Sequence, residues 1–223
     1  MVRGAKAALH CDVLVVDDGS TDATAVVAQG AGARVLQHPF NLGVGAAIRS
    51  GFRVAAADSY DVVLQLDADG QHDVVDAARL VEHVESNAAD IAVGSRFAAG
   101  YQVGKLRRLS MRYLSSVVSH QLDERITDTT SGYRAFGKRA IERFALAYPS
   151  AYLSDTVEAL LLAADWGFTV VEEPVHMRER QGGAPSATTA RSAFHFLRLS
   201  LVVLLHRVRR PLTQRGASPD VKA

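Results

Sequence analysis

The segment VVLQLDADGQHD places two carboxylates directly after a predicted strand. Asp67 and Asp69 are two residues apart, so in extended backbone their side chains point to the same side. Carboxylates held in this way suit a hard divalent cation, which prefers oxygen ligands and commonly shares its coordination shell with substrate phosphates. Gln71 continues the spacing and can add an amide oxygen. The alternative is a purely structural acidic turn, in which Asp67 or Asp73 caps the following helix.

A second acidic stretch, VVDDGSTD, ends an earlier predicted strand. Ser20, Thr21 and Asp22 all suit the N-terminus of a helix. Capping therefore accounts for Asp22 and leaves Asp17 and Asp18 without a structural reason. Two acids at the end of a strand can hydrogen-bond the base or the ribose of a nucleotide.

The elements that must position these acids alternate between strand and helix through the first two-thirds of the chain. This alternation predicts an α/β fold with a mostly parallel central sheet and helices on both faces. In such sheets ligands bind beyond the carboxyl ends of the strands, where both acidic groups fall. The predicted strands span residues 12–16, 33–38, 61–66 and 90–97, and the predicted helices span residues 22–32, 43–57 and 73–86.

The pattern changes after residue 98. A basic amphipathic helix, whose Arg107 and Arg108 face solvent or a membrane, is followed by a polar, turn-rich stretch. A helix ending at Gly167, a strand ending at Pro174 and a loop rich in Gly, Ser and Thr come next. An amphipathic helix over residues 187–210 and a polar tail over 211–223 complete the chain. That last helix either lies in a membrane interface or packs on the domain.

Composition excludes several classes of protein. The net charge of +1 argues against a nucleic-acid binder. The single Cys11 cannot form an internal disulfide and is predicted to be a buried free thiol. No secretory signal is visible, and no segment has the roughly 20 apolar residues that span a bilayer. We therefore expect a cytoplasmic protein, peripheral at the inner face of the membrane.

Five segments occur in the order found in inverting glycosyltransferases of family 2: VLVVDDGSTDAT, NLGVGAAIRSGF, VVLQLDADGQH, DIAVGSRF and DTTSGYRAF. Over residues 11–186 the chain resembles the dolichol- and polyprenol-phosphate mannosyltransferases of that family. The resemblance implies a Rossmann-like GT-A fold over residues 1–186. It also implies transfer of a hexose from a nucleotide sugar, of the GDP-mannose or UDP-glucose type, to a polyprenyl phosphate.

The resemblance assigns roles to the acids. Asp17 and Asp18 would contact the nucleotide base, and Asp67 would hold the ribose or metal-bound waters. Asp69 and Gln71 would bind Mg²⁺ or Mn²⁺ that bridges the donor diphosphate and stabilises the leaving nucleoside diphosphate.

Downstream residues gain roles from the same resemblance. Arg96 and Arg134, with Ser131, would face the acceptor phosphate, since a guanidinium can bind two phosphate oxygens; a surface ion pair is the alternative for each arginine. Either Glu158 or Asp155 would be a general base, or both are acids favoured by a helix N-terminus. The loop residues Arg178 and Arg180 would contact the donor phosphates.

The sequence also offers three alternatives. GVGAAI begins like a dinucleotide-binding fingerprint, but Ile48 stands where that motif needs a small residue. The same motifs also fit a family 2 enzyme that acts on a polysaccharide. Family members also normally begin with a further strand and helix before DDGSTD, so the resemblance predicts a start placed too late or a truncated, poorly donor-binding remnant.

Overall fold

The structure is a computed structural model that describes residues 1–97, 105–149 and 155–176. The predicted loop arginines Arg178 and Arg180, the predicted helix over 187–210 and the polar tail over 211–223 lie outside the described residues. The helices are α1 (Val2–Leu9), α2 (Thr24–Gly30), α3 (Val44–Ala57), α4 (Val74–Glu85), α5 (Lys105–Leu122), α6 (Lys138–Ala147) and α7 (Asp155–Asp165). The strands are β1 (Leu14–Asp17), β2 (Arg34–Gln37), β3 (Val62–Gln65), β4 (Ile91–Ser95), β5 (Arg134–Gly137) and β6 (Val170–Pro174).

The strands form two sheets. β1 pairs in parallel with β2, and the second sheet has the order β3-β5-β4-β6. Within that second sheet β4 and β6 are parallel, while β5 runs antiparallel to both of its neighbours. The predicted α/β class with parallel strands is confirmed, and the reversed β5 is an addition to it. β5 is reversed because α5 and the following loop return the chain to the edge at which β4 ends.

Helices cover both faces of the second sheet, as predicted. On one face Ala77, Leu80 and Val84 of α4 pack against Tyr133 and Ala135 beside and within β5. On the other face Phe136 of β5 meets an aromatic cluster from α3, α6 and the segment after α7. Successive side chains of a strand point to opposite faces, so β5 contributes to both layers. The members of that aromatic cluster are Phe52, Phe136, Phe144, Tyr148, Trp166 and Phe168.

The strands differ in burial according to how many of their edges are paired. Every residue of β4 is buried, whereas Leu14, Val15 and Val16 of β1 and all of β3 are only half-buried. β4 has a partner strand on each edge; among the described residues β1 pairs only with β2, and β3 only with β5. A strand with one open edge has fewer neighbours to cover its side chains.

Several local predictions need correction. β5 and α6 were not predicted, although Ala140, Ile141, Phe144 and Ala145 of α6 follow helical spacing and are buried. α2 begins at Thr24, and Asp22 accepts the Thr24 N–H from outside the helix rather than capping it at its predicted start. Cys11 is exposed in the α1–β1 connection, so the predicted burial of its thiol is wrong.

Candidate functional site

The acidic turn, residues 67–73, joins β3 to α4. Asp73 is the N-cap of α4 and accepts the Val75 N–H at 3.1 Å. Asp69 accepts the Gln71 N–H at 3.0 Å, and Gly70 allows the turn with a φ of 78°. The predicted capping alternative therefore holds for Asp73 and does not hold for Asp67, which is not the cap of α4.

Asp67 is exposed and lies two residues after the end of β3. Its carboxylate rests against the backbone of Gly132, in the loop that leads into β5: a Cβ on Gly132 would lie 3.1 Å and 3.2 Å from the two Asp67 oxygens. The Asp67 N–H donates to Nδ1 of His72 at 3.2 Å. The turn is therefore fixed both through its own residues and by the loop before β5.

His72 is a site residue that sequence reasoning missed. It is buried and stacks on Tyr133, with ring centroids 4.5 Å apart and an angle of 16° between the rings. Burial lowers the pKa of His72, against the opposing effect of Asp67 and Asp69. Because Nδ1 accepts the Asp67 N–H, the proton of the neutral ring is on Nε2. The sequence signal that could have identified His72 is its position directly after Gln71 in the acidic turn.

Arg96 is held by a buried carboxylate. Its Nε and Nη2 donate to the two oxygens of Asp128 at 2.7 Å and 2.9 Å, and Nη2 also donates to Thr130. Asp128 is fully buried, while the Arg96 side chain keeps 20% exposure. The loop around Asp128 is itself fixed, because Glu172 accepts the backbone N–H groups of Thr127 and Asp128. This two-point contact orients the plane of the guanidinium.

The acidic turn and Arg96 lie at the same edge of the second sheet. The loop before β5 contacts both, because Gly132 lies against the Asp67 carboxylate and Asp128 binds Arg96. Asp67 and Asp69 follow β3, Arg96 follows β4, and Asp128 precedes β5. Three chain segments therefore reach one edge of the sheet. The structure therefore brings together the predicted donor-side and acceptor-side residues Asp67, Asp69 and Arg96.

Asp17 and Asp18, at the end of β1, are engaged within the fold. Asp17 accepts the Ser20 N–H and a Gln37 side-chain N–H, and hydrogen bonds from Ser20 hold its pKa below the ordinary value. Asp18 accepts the backbone N–H groups of residues 42 and 43 at 2.9 Å and 2.8 Å, beside α3. Burial would raise the pKa of Asp18, but its hydrogen bonds, including one from His38, lower it. Nucleotide contact by this pair stays a prediction.

Arg134, Asp155 and Ser131 lie deeper. Arg134 is 1% exposed, donates to the carbonyls of Thr156 and Thr129, and has its pKa lowered by burial. Asp155 is 3% exposed, its Oδ2 has no hydrogen-bond partner among the described residues, and burial raises its pKa. Ser131 is 2% exposed and accepts the Tyr133 N–H. The roles predicted for these residues, and for the half-buried Glu158 of α7, stay predictions.

The predicted metal ligands are two carboxylates and an amide. Among the described residues, no three His, Cys, Asp or Glu side chains form a group able to hold a metal ion. Metal binding by Asp67, Asp69 and Gln71 stays a prediction; so few protein ligands would suit a cation that draws its other ligands from substrate phosphates and water, as Mg²⁺ commonly does. The donor atoms are all hard oxygens, which is the chemistry such a cation requires.

A surface depression of about 540 Å³ lies at the opposite end of β3. Asp61 and Lys138 form an ion pair in its wall, and so do Asp90 and Arg139. It contains none of the predicted site residues. In a parallel α/β sheet, the ligand edge is the other one.

No helix in the described part of the chain combines the length and the apolar character that crossing a bilayer requires.

Comparisons with known proteins agree with the geometry. The model for "Glycosyl transferase family 2" matches residues 3–147. The chain is 34% identical to the polyprenol monophosphomannose synthase of Mycolicibacterium smegmatis, over 77% of this chain and 68% of that protein. It is 33% identical to the undecaprenyl-phosphate mannosyltransferase of Micrococcus luteus, over 77% and 74% of the two chains.

A solved structure shares the fold. Glucosyl-3-phosphoglycerate synthase from Mycobacterium tuberculosis, crystallised with Mn²⁺, UDP-glucose and phosphoglyceric acid, aligns with a TM-score of 0.65 at 18% identity, covering 92% of this chain and 74% of that one. The protein described here therefore has a GT-A-like fold and is a glycosyltransferase that belongs to glycosyl transferase family 2.

Proposed function

We propose that the protein transfers a hexose from a nucleotide sugar to a polyprenyl phosphate, with Mg²⁺ or Mn²⁺ bound at the acidic turn. The observation that carries this proposal is that Asp67 and Asp69, after β3, and Arg96, after β4, lie at one edge of the sheet. One side of that arrangement suits a cation and a diphosphate, and the other suits a phosphate. The relatives named for mannosyl transfer to polyprenol or undecaprenyl phosphate support it.

On the donor side, Asp67, Asp69 and Gln71 would hold the cation. A bound cation would stabilise the negative charge that develops on the leaving nucleoside diphosphate. The ionised Asp17 and Asp18 would accept hydrogen bonds from the base. Arg178 and Arg180 would contact the donor phosphates. GDP-mannose and UDP-glucose are the donors to test.

On the acceptor side, Arg96 would bind the lipid phosphate. Asp128 fixes the guanidinium plane, so binding a phosphate costs little reordering of this side chain. A phosphate oxygen would form a bond to the anomeric carbon as the bond from that carbon to the diphosphate breaks, with inversion. Arg134 and Ser131 would support this side from their buried positions.

A general base is needed only for some acceptors. A phosphate monoester, whose second pKa is about 6, is largely ionised near neutral pH and can attack without losing a proton. A sugar hydroxyl must lose one, and Asp155 or Glu158 would then serve as the base. Replacing Asp155 and Glu158 by Asn and Gln therefore separates the lipid-phosphate acceptor, for which activity persists, from a polysaccharide acceptor.

The membrane surface is the proposed location of the acceptor. α5 presents Arg108, Leu109, Arg112 and Tyr113 on one exposed side, with Leu109 66% exposed and Tyr113 43% exposed. Basic and apolar side chains on one helix face suit an anionic lipid surface. Sedimentation with anionic vesicles checks this, and Leu109→Ser with Arg112→Ser should weaken it.

A second candidate is a family member that keeps the fold and binds donor poorly. Two observations favour it: β1 is only half-buried, and the carboxylates of Asp17 and Asp18 are already engaged by hydrogen bonds within the fold. On this alternative the acidic turn binds a cation weakly and transfer is not detected.

Calorimetry with Mn²⁺ and each donor distinguishes the two candidates. We expect donor binding that depends on Mn²⁺ and is lost in Asp69→Ala. Asp61→Ala is the matched control, because Asp61 directly precedes the same strand and lies at its far end. Equal donor binding by wild type and Asp69→Ala would contradict the proposed site, and no binding by wild type would favour the second candidate.

A further inference from the structure

Gly132 lies against the acidic turn at a place where an added side chain would be in tight contact. Its φ lies outside the left-handed region, so an L-residue could adopt its backbone conformation. The obstacle is steric. A Cβ there would lie 3.1 Å from Asp67 Oδ2, 3.2 Å from Oδ1 and 3.5 Å from Cγ. An added methyl group would therefore push the whole carboxylate by a few tenths of an ångström.

The neighbouring residue, Tyr133, ties down both ends of the same turn. Its hydroxyl donates to the carbonyl of Asp73 at 2.7 Å, and its ring stacks on His72. His72 in turn accepts the N–H of Asp67. Tyr133 is fully buried, so this connection starts from a fixed point. The backbone between Asp67 and Asp73 is thus held by one pair of rings.

We propose that Gly132 and the His72–Tyr133 ring pair are positioning residues for the cation-binding carboxylates. Gly132 sets where the Asp67 carboxylate lies, and the ring pair sets the path of the backbone from Asp67 to Asp73. None of the three needs to touch the cation or the substrates. The inference rests on the proposed function, because it assumes that Asp67 and Asp69 bind a cation with the donor.

The same loop also places the acceptor-side arginine, through Asp128. Residues 128–133 therefore set the spacing between the cation site and Arg96. Substitutions at the two ends of this loop should therefore raise the KM values of different substrates. Gly132→Ala should raise the KM for the donor, whereas Asp128→Asn should raise mainly the KM for the polyprenyl phosphate.

The decisive experiment measures Mn²⁺ binding by electron paramagnetic resonance, with the nucleotide sugar present and no acceptor. Gly132→Ala should weaken Mn²⁺ binding about 10-fold, the lower end of the loss seen when residues that support metal ligands are changed. Gly30→Ala is the matched control, because a Cβ at Gly30 meets nothing within 4 Å. Wild-type affinity in Gly132→Ala would overturn the inference while leaving the proposed function intact.

The ring pair gives a second, independent measurement. His72→Phe keeps a ring for stacking and removes the acceptor for the Asp67 N–H, so Mn²⁺ binding should weaken. His72→Asn places an amide oxygen near the position of Nδ1 and should restore part of the affinity. Equal losses in both variants would overturn the role given to Nδ1.

A double substitution shows whether a folding defect in Gly132→Ala comes from contact with Asp67. If Gly132→Ala lowers the urea midpoint, the added methyl clashes with Asp67, and Asp67→Ala should restore that midpoint. A defect that persists in the double variant would overturn the steric explanation. Failure of the wild-type protein to bind Mn²⁺ and either donor would overturn the proposed function, and this inference with it.

Discussion

β1 and β4 each end at a predicted ligand-binding residue, but the two strands are held in different ways. β4 is buried along its whole length between β5 and β6, and it leads to Arg96, which the buried Asp128 orients. β1 is half-buried and, among the described residues, paired only with β2; it leads to Asp17 and Asp18.

This difference concerns the two sides of the proposed site. The free energy of local opening follows the number of buried contacts that must be broken. We therefore expect the acceptor side to be rigid and the nucleotide side to open more readily. Donor binding would then stabilise the protein mainly around β1 and β2.

The largest expected effect is on the free energy of unfolding. Ile91→Ala in β4, where Ile91 is 1% exposed, should cost about 2–5 kcal/mol, the usual range for emptying a buried position. Leu14→Ala in β1 should cost less than half as much, because Leu14 is already partly in contact with water. Urea denaturation measures both, and equal losses would contradict the comparison.

The next effect concerns one carboxylate on each side of the comparison, Asp128, which binds Arg96 after β4, and Asp18, which follows β1. Asp128→Asn weakens a buried charged pair and should destabilise the protein by about 1–3 kcal/mol. Asp18→Asn weakens hydrogen bonds at the start of α3 and should cost about 0.5–2 kcal/mol, as loss of a helix cap does. A larger loss of unfolding free energy in Asp18→Asn than in Asp128→Asn would contradict the comparison.

Low pH should destabilise the protein through protonation of Asp18, which follows β1. The pKa of Asp18 is lowered from its ordinary value of 3.8. Its stabilising contribution is therefore complete above pH 3.8 and is lost as the pH falls through the lower folded-state value. Unfolding titrations in urea between pH 5 and about pH 2.5 should show a shallower loss of stability in Asp18→Asn than in wild type. Parallel curves would show that Asp18 does not contribute.

The smallest effect is expected on α2, which packs beside the first sheet. Val26 is 70% exposed, so Val26→Ser should change the unfolding free energy by no more than about 0.5 kcal/mol. The thermal midpoint and the aggregation onset measure this. A loss of 2 kcal/mol or more would mean that α2 is covered in solution and that the first sheet is better supported than β1 alone suggests.

The acidic turn could be predicted from sequence because its signals are local. Two acids after an apolar strand, a glycine and a helix cap all lie within residues 62–75. The alternation of strands and helices up to β4 was predicted for the same reason. The order of the five segments then indicated the family, which the comparisons confirm.

What sequence reasoning missed depends on contacts between distant residues. Asp128 reads as one more acid in a polar stretch until Arg96, 32 residues earlier, is seen to bind it. Gly132 has no visible purpose until the Asp67 carboxylate lies against it. β5 has four residues and begins with a buried arginine, so neither its length nor its polarity indicates a strand.

The reversed direction of β5 creates a place on this enzyme where a label can be attached far from the proposed site. Since β5 starts beside the acidic turn, its end at Gly137 and the α4–β4 turn around Asn87 lie together at the far edge of the sheet. Asn87 and Lys138 are exposed there, remote from Asp67 and Arg96. A fluorophore or an affinity tag placed at either position should report on the protein or immobilise it while leaving transfer unaffected.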